Sequence, residues 1–296
     1  MRRLFFLVLS AGAVAGAVFW GVTRPSKLPS DYFAGLTGDV GRGELVFHAT
    51  GCASCHMTPG ATGDAKVVLA GGQAFASDFG TFLAPNISPD PQHGIGGWSL
   101  NDLGDALQRG ISPNGAHYYP ALPYWSYGRM QAQDVVDLYA FLQTLPPDTT
   151  PSQPHQIDFP FSIRRLVGGW KVLNKDTDFV VEGDLSETEV RGRYIAEAMA
   201  HCGECHTPRN MLGGLDTSRW LAGAPNPSGQ GTIPNITPAK LDWSEGEIVA
   251  YLTSGFTPDY DSAGGHMVPV IENMAQLPES DRAAVAAYLK KVPAVD

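Results

Sequence analysis

The chain has 296 residues, with 30 acidic against 20 basic side chains and a net charge of −10. Setting aside the positive charges of Arg2 and Arg3 takes that balance to −12, which argues against nucleic acid as a partner. It suits solubility, or steering toward a basic patch on a partner protein. With 34 glycines and 23 prolines the chain is loop-rich, and it carries little strand signal.

Arg2 and Arg3 precede an uncharged apolar run from Leu4 to Val22, followed by Arg24 and Pro25. A cleavable signal has an apolar core of about 7–15 residues, whereas a spanning helix needs roughly 17–25. Residues 1–24 are therefore expected to form an uncleaved transmembrane anchor. A removed signal is the alternative, because small residues from Ala13 to Ala17 keep cleavage open. The arginine pair predicts a cytoplasmic N-terminus, leaving everything after Thr23 outside the cytoplasm. Residues 25–38 are expected as a linker.

A first helix is predicted near Val40 to Thr50, running straight into Cys52-Ala53-Ser54-Cys55-His56. A second pentapeptide, Cys202-Gly203-Glu204-Cys205-His206, follows a helix predicted over Glu187 to Ala200, and the two account for all four cysteines. C-x-x-C-H is the pattern of covalent c-type haem attachment: the thiols add to the vinyl groups of one haem and the histidine reaches its iron. A structural zinc site would need four converging ligands, and a thioredoxin-like C-x-x-C would need a βαβ context that is not in this sequence. The expected cofactors are two covalently bound haem c, held by Cys52, Cys55, Cys202 and Cys205, with His56 and His206 as axial ligands.

The two motifs belong to a tandem repeat. Arg42-Gly43 matches Arg191-Gly192, Asn86 in Pro85-Asn86-Ile87 matches Asn235 in Pro234-Asn235-Ile236, and Trp98 and Trp243 each stand 12 residues before a glycine, Gly110 or Gly255. Ser99 and Ser244 read as N-caps of a middle helix ending at those glycines. A last helix is predicted from about Asp134 to Pro146, and from Asp281 to Pro293. The expected domains are 39–147 and 186–296, joined by a Pro-rich linker over 148–185. Gly43 and Gly192 are expected to let the first helix approach Phe141 and Tyr288 of the last.

This all-α order resembles that of class I c-type cytochromes. More narrowly, Leu69-Ala70-Gly71-Gly72, Ala84 to Asp90, Gly94 to Trp98, Tyr118 to Tyr127 and His201 to Asn210 resemble the dihaem cytochrome c subunits of bacterial membrane-bound alcohol, aldehyde or sugar-acid dehydrogenases. The resemblance covers nearly everything after residue 38 and implies electron transfer.

A methionine sixth ligand raises a haem's potential. In the second unit the resemblance implies Met267, in the loop before the last helix, with Met274 as the alternative. In the first unit the matching position is Leu122, which has no lone pair. Met130 is then expected as the ligand, ahead of His117 and of an open iron; Met57 is too close to His56 in the chain. Met130 aligns with Leu277, an apolar packing position. Trp98 and Trp243 are expected as pocket aromatics. Arg164 and Arg165 could pair with propionates or be solvated, and His48, His93 and His155 have no ligand-like context.

The function expected is single-electron transfer on the periplasmic face of a bacterial inner membrane. A dehydrogenase would be the donor and a quinone, another cytochrome or an oxidase the acceptor. A dihaem peroxidase or thiosulfate-oxidising enzyme is one alternative, though no acid–base constellation is evident. A cytochrome subunit of a terminal oxidase is the other.

Overall fold

The computed structural model describes residues 1–174, 177–227, 229 and 231–296. Helix α1 (Arg2–Val22) is exposed along its whole length, and the chain buries itself only from Thr23 onward.

The first unit opens with α2 (Val40–Thr50), capped by the Asp39 carboxylate, which accepts from the Arg42 amide at 2.8 Å. Gly51, at φ +63°, ends α2 and starts α3 (Cys52–His56). A left-handed residue here lets the chain turn onto a new axis at once. Strands β1 (Ala74–Ser77), β2 (Gly80–Leu83) and β3 (Gln156–Ile157) form a small antiparallel sheet in that order. Helix α4 (Leu100–Gly104) carries a reciprocal capping box between Ser99 and Asp102. It widens into a π turn over Asp105–Arg109 and stops at Gly110, φ +60°. A short α5 (Tyr124–Tyr127) leads to α6 (Ala132–Leu142).

After α7 (Arg164–Leu173) the plan repeats. Helix α8 (Glu187–Arg193) has a Ser186–Glu189 capping box and widens into a π turn over Tyr194–Met199 before α9 (Cys202–His206). Strands β4 (Ala224–Pro225) and β5 (Thr232–Ile233) pair. Then come α10 (Glu245–Ser254), α11 (Met267–Met274) and α12 (Glu279–Lys291).

First and last helices cross in both units, α2 on α6 and α8 on α12. A Cβ on Gly43 would strike the Asp137 carbonyl and lie 2.8 Å from Phe141 Cβ. One on Gly192 would strike the Ala284 carbonyl and lie 2.8 Å from Tyr288 Cβ. Only glycine allows these crossings, as the sequence led us to expect. Around them Phe47, Leu69, Val135 and Leu138 pack in the first unit, and Ile195, Leu221, Ala286 and Tyr288 in the second.

The stretch between the units carries β3 and α7. Arg164 stacks on Tyr119 at 4.0 Å and donates to the His117 carbonyl at 3.0 Å. Arg165 stacks on Trp20 at 4.1 Å and donates to Thr23 Oγ1 at 2.9 Å. Both arginines are spent on holding α7 in place. The units also meet directly: Asn273 donates to Ser54 Oγ at 2.8 Å, and Lys66 pairs with Glu272 at 2.6 Å.

Candidate haem-binding sites

Helix α3 puts Cys52, Cys55 and His56 on little more than one turn beside the interface between the units, and α9 does the same with Cys202, Cys205 and His206. His56 Nδ1 lies 2.8 Å from the Pro85 carbonyl, and His206 Nδ1 lies 2.8 Å from that of Pro234. A carbonyl can only accept, so each Nδ1 carries the proton and each Nε2 lone pair is left for iron. Burial pushes both imidazoles below their ordinary pKa, which favours the neutral, ligating form.

The loops carrying those prolines are anchored alike. Asn86 Nδ2 donates to the Asp148 and Thr150 carbonyls at 2.8 and 2.9 Å, and Asn235 Nδ2 to the Val295 carbonyl at 2.7 Å. On the other side, the amides of Gly71 and Gly223 hold the His56 and His206 carbonyls at 2.7 Å. The repeated Pro-Asn-Ile is thus a histidine-orienting device, a role that sequence spacing alone did not disclose.

Burial pushes the Cys52 thiol up to about 11 and the Cys202 thiol up to about 12. Such thiols are protonated at neutral pH and poorly poised for disulfide exchange. Among the described residues no group of three or more His, Cys, Asp or Glu side chains is placed to hold a metal ion. Two thiols and a neutral histidine on one turn fit a covalently held haem.

Met130 is buried, and its carbonyl accepts from Gln108 Nε2 at 2.8 Å. Met267 is half-buried and packs against the core of the second unit. It is the first residue of α11 and not part of a loop, a difference that arises because Met267–Met274 has apolar residues enough to lie on the core. Met274 is buried, with its carbonyl taken by Arg282 Nη1 at 3.1 Å. Leu122 lines a crevice with Trp125, Trp170, Glu204 and Arg209. His117 is turned elsewhere: its Nε2 donates to the Thr23 carbonyl at 2.9 Å, at the junction of α1 and α7. Trp98 and Trp243 are half-buried against the core. His48 meets Asn273, His93 meets Asp90 and His155 accepts from the Leu83 amide.

Two features went unforeseen. His201 takes the place of Gly51 before the second motif, at φ +44° despite its side chain. It lies edge-on to Tyr127 at 5.6 Å, and Tyr127 donates to the Thr50 carbonyl at 3.0 Å, so the approaches to both motifs are tied together. The other is Glu197, fully buried, which accepts from Tyr288 at 2.6 Å and from the Val180 and Val181 amides at 2.6 and 3.2 Å. Tyr288 in turn accepts from Trp220 Nε1 at 3.0 Å, and Trp220 packs on Gly203 inside the motif. Burial raises the Glu197 pKa.

The cytochrome c family model matches residues 40–146 and again 190–293. The chain belongs to the cytochrome c family. It is 58% identical, over the full length of both chains, to a diheme cytochrome c-type protein of Cereibacter sphaeroides. It is 40% identical to the fructose dehydrogenase cytochrome subunit of Gluconobacter japonicus, over 98% of this chain and 60% of that protein. Against the gluconate 2-dehydrogenase cytochrome c subunit of Pantoea cypripedii the identity is 33%, over 89% of this chain and 63% of the other. This chain thus spans about six-tenths of those two subunits. Two cytochrome c domains in a dihaem cytochrome carry two covalently bound haem c, and the protein transfers electrons.

Proposed function

We propose that the chain is a membrane-anchored, periplasm-facing electron carrier, taking single electrons from a dehydrogenase and passing them toward the respiratory chain. The observation that carries this reading is the pair of equivalent histidine–proline locks on α3 and α9, set beside one interface between the units. Bound haem supplies the one-electron redox chemistry. The protein's part is to fix geometry and tune polarity. Cys52, Cys55, Cys202 and Cys205 would tether the two haems, and His56, His206, Met130 and Met267 would supply the ligands to iron. The engagement of His117 with Thr23 favours Met130 in the first unit. The relatives named as dehydrogenase subunits support a dehydrogenase as donor. The length, apolarity and exposure of α1 support an anchor, with residues after Thr23 on the far side of the bilayer.

Detergent extraction of the tagged full chain tests this. A dehydrogenase should co-purify, and adding that enzyme's substrate should reduce both haems. A chain that purifies alone and turns over hydrogen peroxide would instead be a dihaem enzyme.

A further inference from the structure

Helix α7 is amphipathic in an unusual way. One side, with Val167, Gly168 and Lys171, is buried against the first unit. Ile163, Leu166, Trp170 and Leu173, spaced by three and four residues, form an apolar stripe along another side; Leu166 and Leu173 are 41% and 73% exposed. The stripe does not stop at the helix. Trp170 Nε1 donates to the Leu212 carbonyl at 2.7 Å, and Leu212 and the fully exposed Met211 extend it. Phe161 packs edge-on to Phe79 at 5.0 Å, and Phe159 beside it is 80% exposed. Contiguous exposed apolar surface of this kind marks an interaction site.

What covers it follows from α1. The last turn of α1 is fixed to α7 by Arg165, which reaches Thr23 Oγ1 and the Trp20 carbonyl, and to the first unit by His117, which holds the Thr23 carbonyl. Thr23 and Phe19 lie against Gly168 and Gly169. The 21 residues of α1 span about 31 Å at 1.5 Å each, close to the ~30 Å hydrocarbon core of a bilayer. The whole of α1 is then used in crossing, and the bilayer surface must fall where α1 meets α7. On α7, Gly169 faces α1, and Leu166 and Leu173 lie next to it around the helix. Arg165 stacks on Trp20 at that level, and the exposed Arg24 follows Thr23 in the chain, cations beside an indole of the kind that suits a headgroup layer.

We propose that the stripe on α7, together with Phe159, Phe161, Met211 and Leu212, is a lipid-docking surface that lays the cytochrome domains flat on the bilayer. It rests on reading α1 as a retained anchor. A single anchor would let the domains swing; a second, interfacial contact fixes their orientation and the height of both haem motifs above the membrane.

The test uses the full, haem-loaded chain in phosphatidylethanolamine–phosphatidylglycerol vesicles carrying a phospholipid with a photoreactive group near the headgroup. Adducts are mapped by peptide mass spectrometry. They are expected on residues 1–22 and also on 159–173 and 211–212. The double variant Phe161→Asp, Leu173→Asp alters exposed positions only and should keep full haem content; it should lose the adducts on 159–173 while retaining those on 1–22. Adducts confined to 1–22 overturn the docking surface and leave the anchor standing, and loss of the 159–173 adducts when a co-purified subunit is added back would show that protein covers the patch instead. Absence of adducts on 1–22 removes the anchor reading, and the docking surface with it.

Discussion

Substituting Gly43 by alanine tests the central packing device of the first unit. An alanine Cβ there would lie 2.8 Å from Phe141 Cβ and run into the Asp137 carbonyl. Carbon atoms in contact prefer about 3.5–4.0 Å, so α2 and α6 must part by roughly 1 Å. Over-packing of this kind costs about 1–3 kcal/mol. The clash is with backbone, which cannot swing aside, so the upper end applies. Against it stands the helix-propensity gain of glycine to alanine, about 1 kcal/mol. The movement also strains the buried Asp137 carboxylate, which accepts from the Asp39 amide at 2.7 Å and Arg42 Nε at 2.9 Å. The net loss should be about 2 kcal/mol, roughly a thirtyfold rise in the unfolded fraction of that unit. Gly41→Ala is the control, since its nearest neighbour is Asp39 Oδ1 at 3.4 Å and the same helix should gain slightly. Guanidinium unfolding followed by the haem bands would measure both. If Gly43→Ala is as stable as the parent, the close crossing does not hold the unit together.

Met267→Ala should abolish the methionine–iron charge-transfer band and lower the potential of the second haem alone, Met130→Ala should do so for the first, and Met274→Leu should do neither; spectra and redox titration decide. Because burial raises the Glu197 pKa in the folded state, the native chain holds a proton that the unfolded chain releases, so stability should fall as pH rises from the ordinary carboxylate range through that raised value. Midpoints measured against pH should show that slope, and Glu197→Gln should remove it while costing about 1–3 kcal/mol for mispairing one of its three donors. Burial lowers Lys171 to about 7, where it donates to the Arg109 and Gly110 carbonyls at 2.7 and 2.8 Å. Above pH 7 the unfolded lysine keeps a proton the folded one sheds, so stability should climb toward about pH 10. Lys171→Met should flatten that climb in a thermal-unfolding series.

Much of this protein was legible as local chemistry. A C-x-x-C-H motif states its own purpose because its thiols and imidazole must share one prosthetic group, whatever surrounds them. Ser99 and Ser244 announced their helices because a cap bonds within three residues, and Gly110 and Gly255 closed them because a left-handed stop is also local. Even the crossings at Gly43 and Gly192 could be anticipated, since the repeat presented the same glycine before the same motif twice.

What the tertiary structure alone decided lies at greater separation. His117 sat in a plausible ligand loop until α1 and α7 came together and claimed its Nε2 through Thr23, 94 residues away in sequence. Arg164 and Arg165 could be read as propionate partners or as solvated until Tyr119 and Trp20 lay beneath them. Glu197 gave no sign of burial, because its three donors come from α12 and from the segment before α8. The amphipathy of α7 could be written down from its residues, but its direction could not. A helix face acquires meaning only from its neighbours, and here α1, through Trp20 and Thr23, is the neighbour that packs on α7.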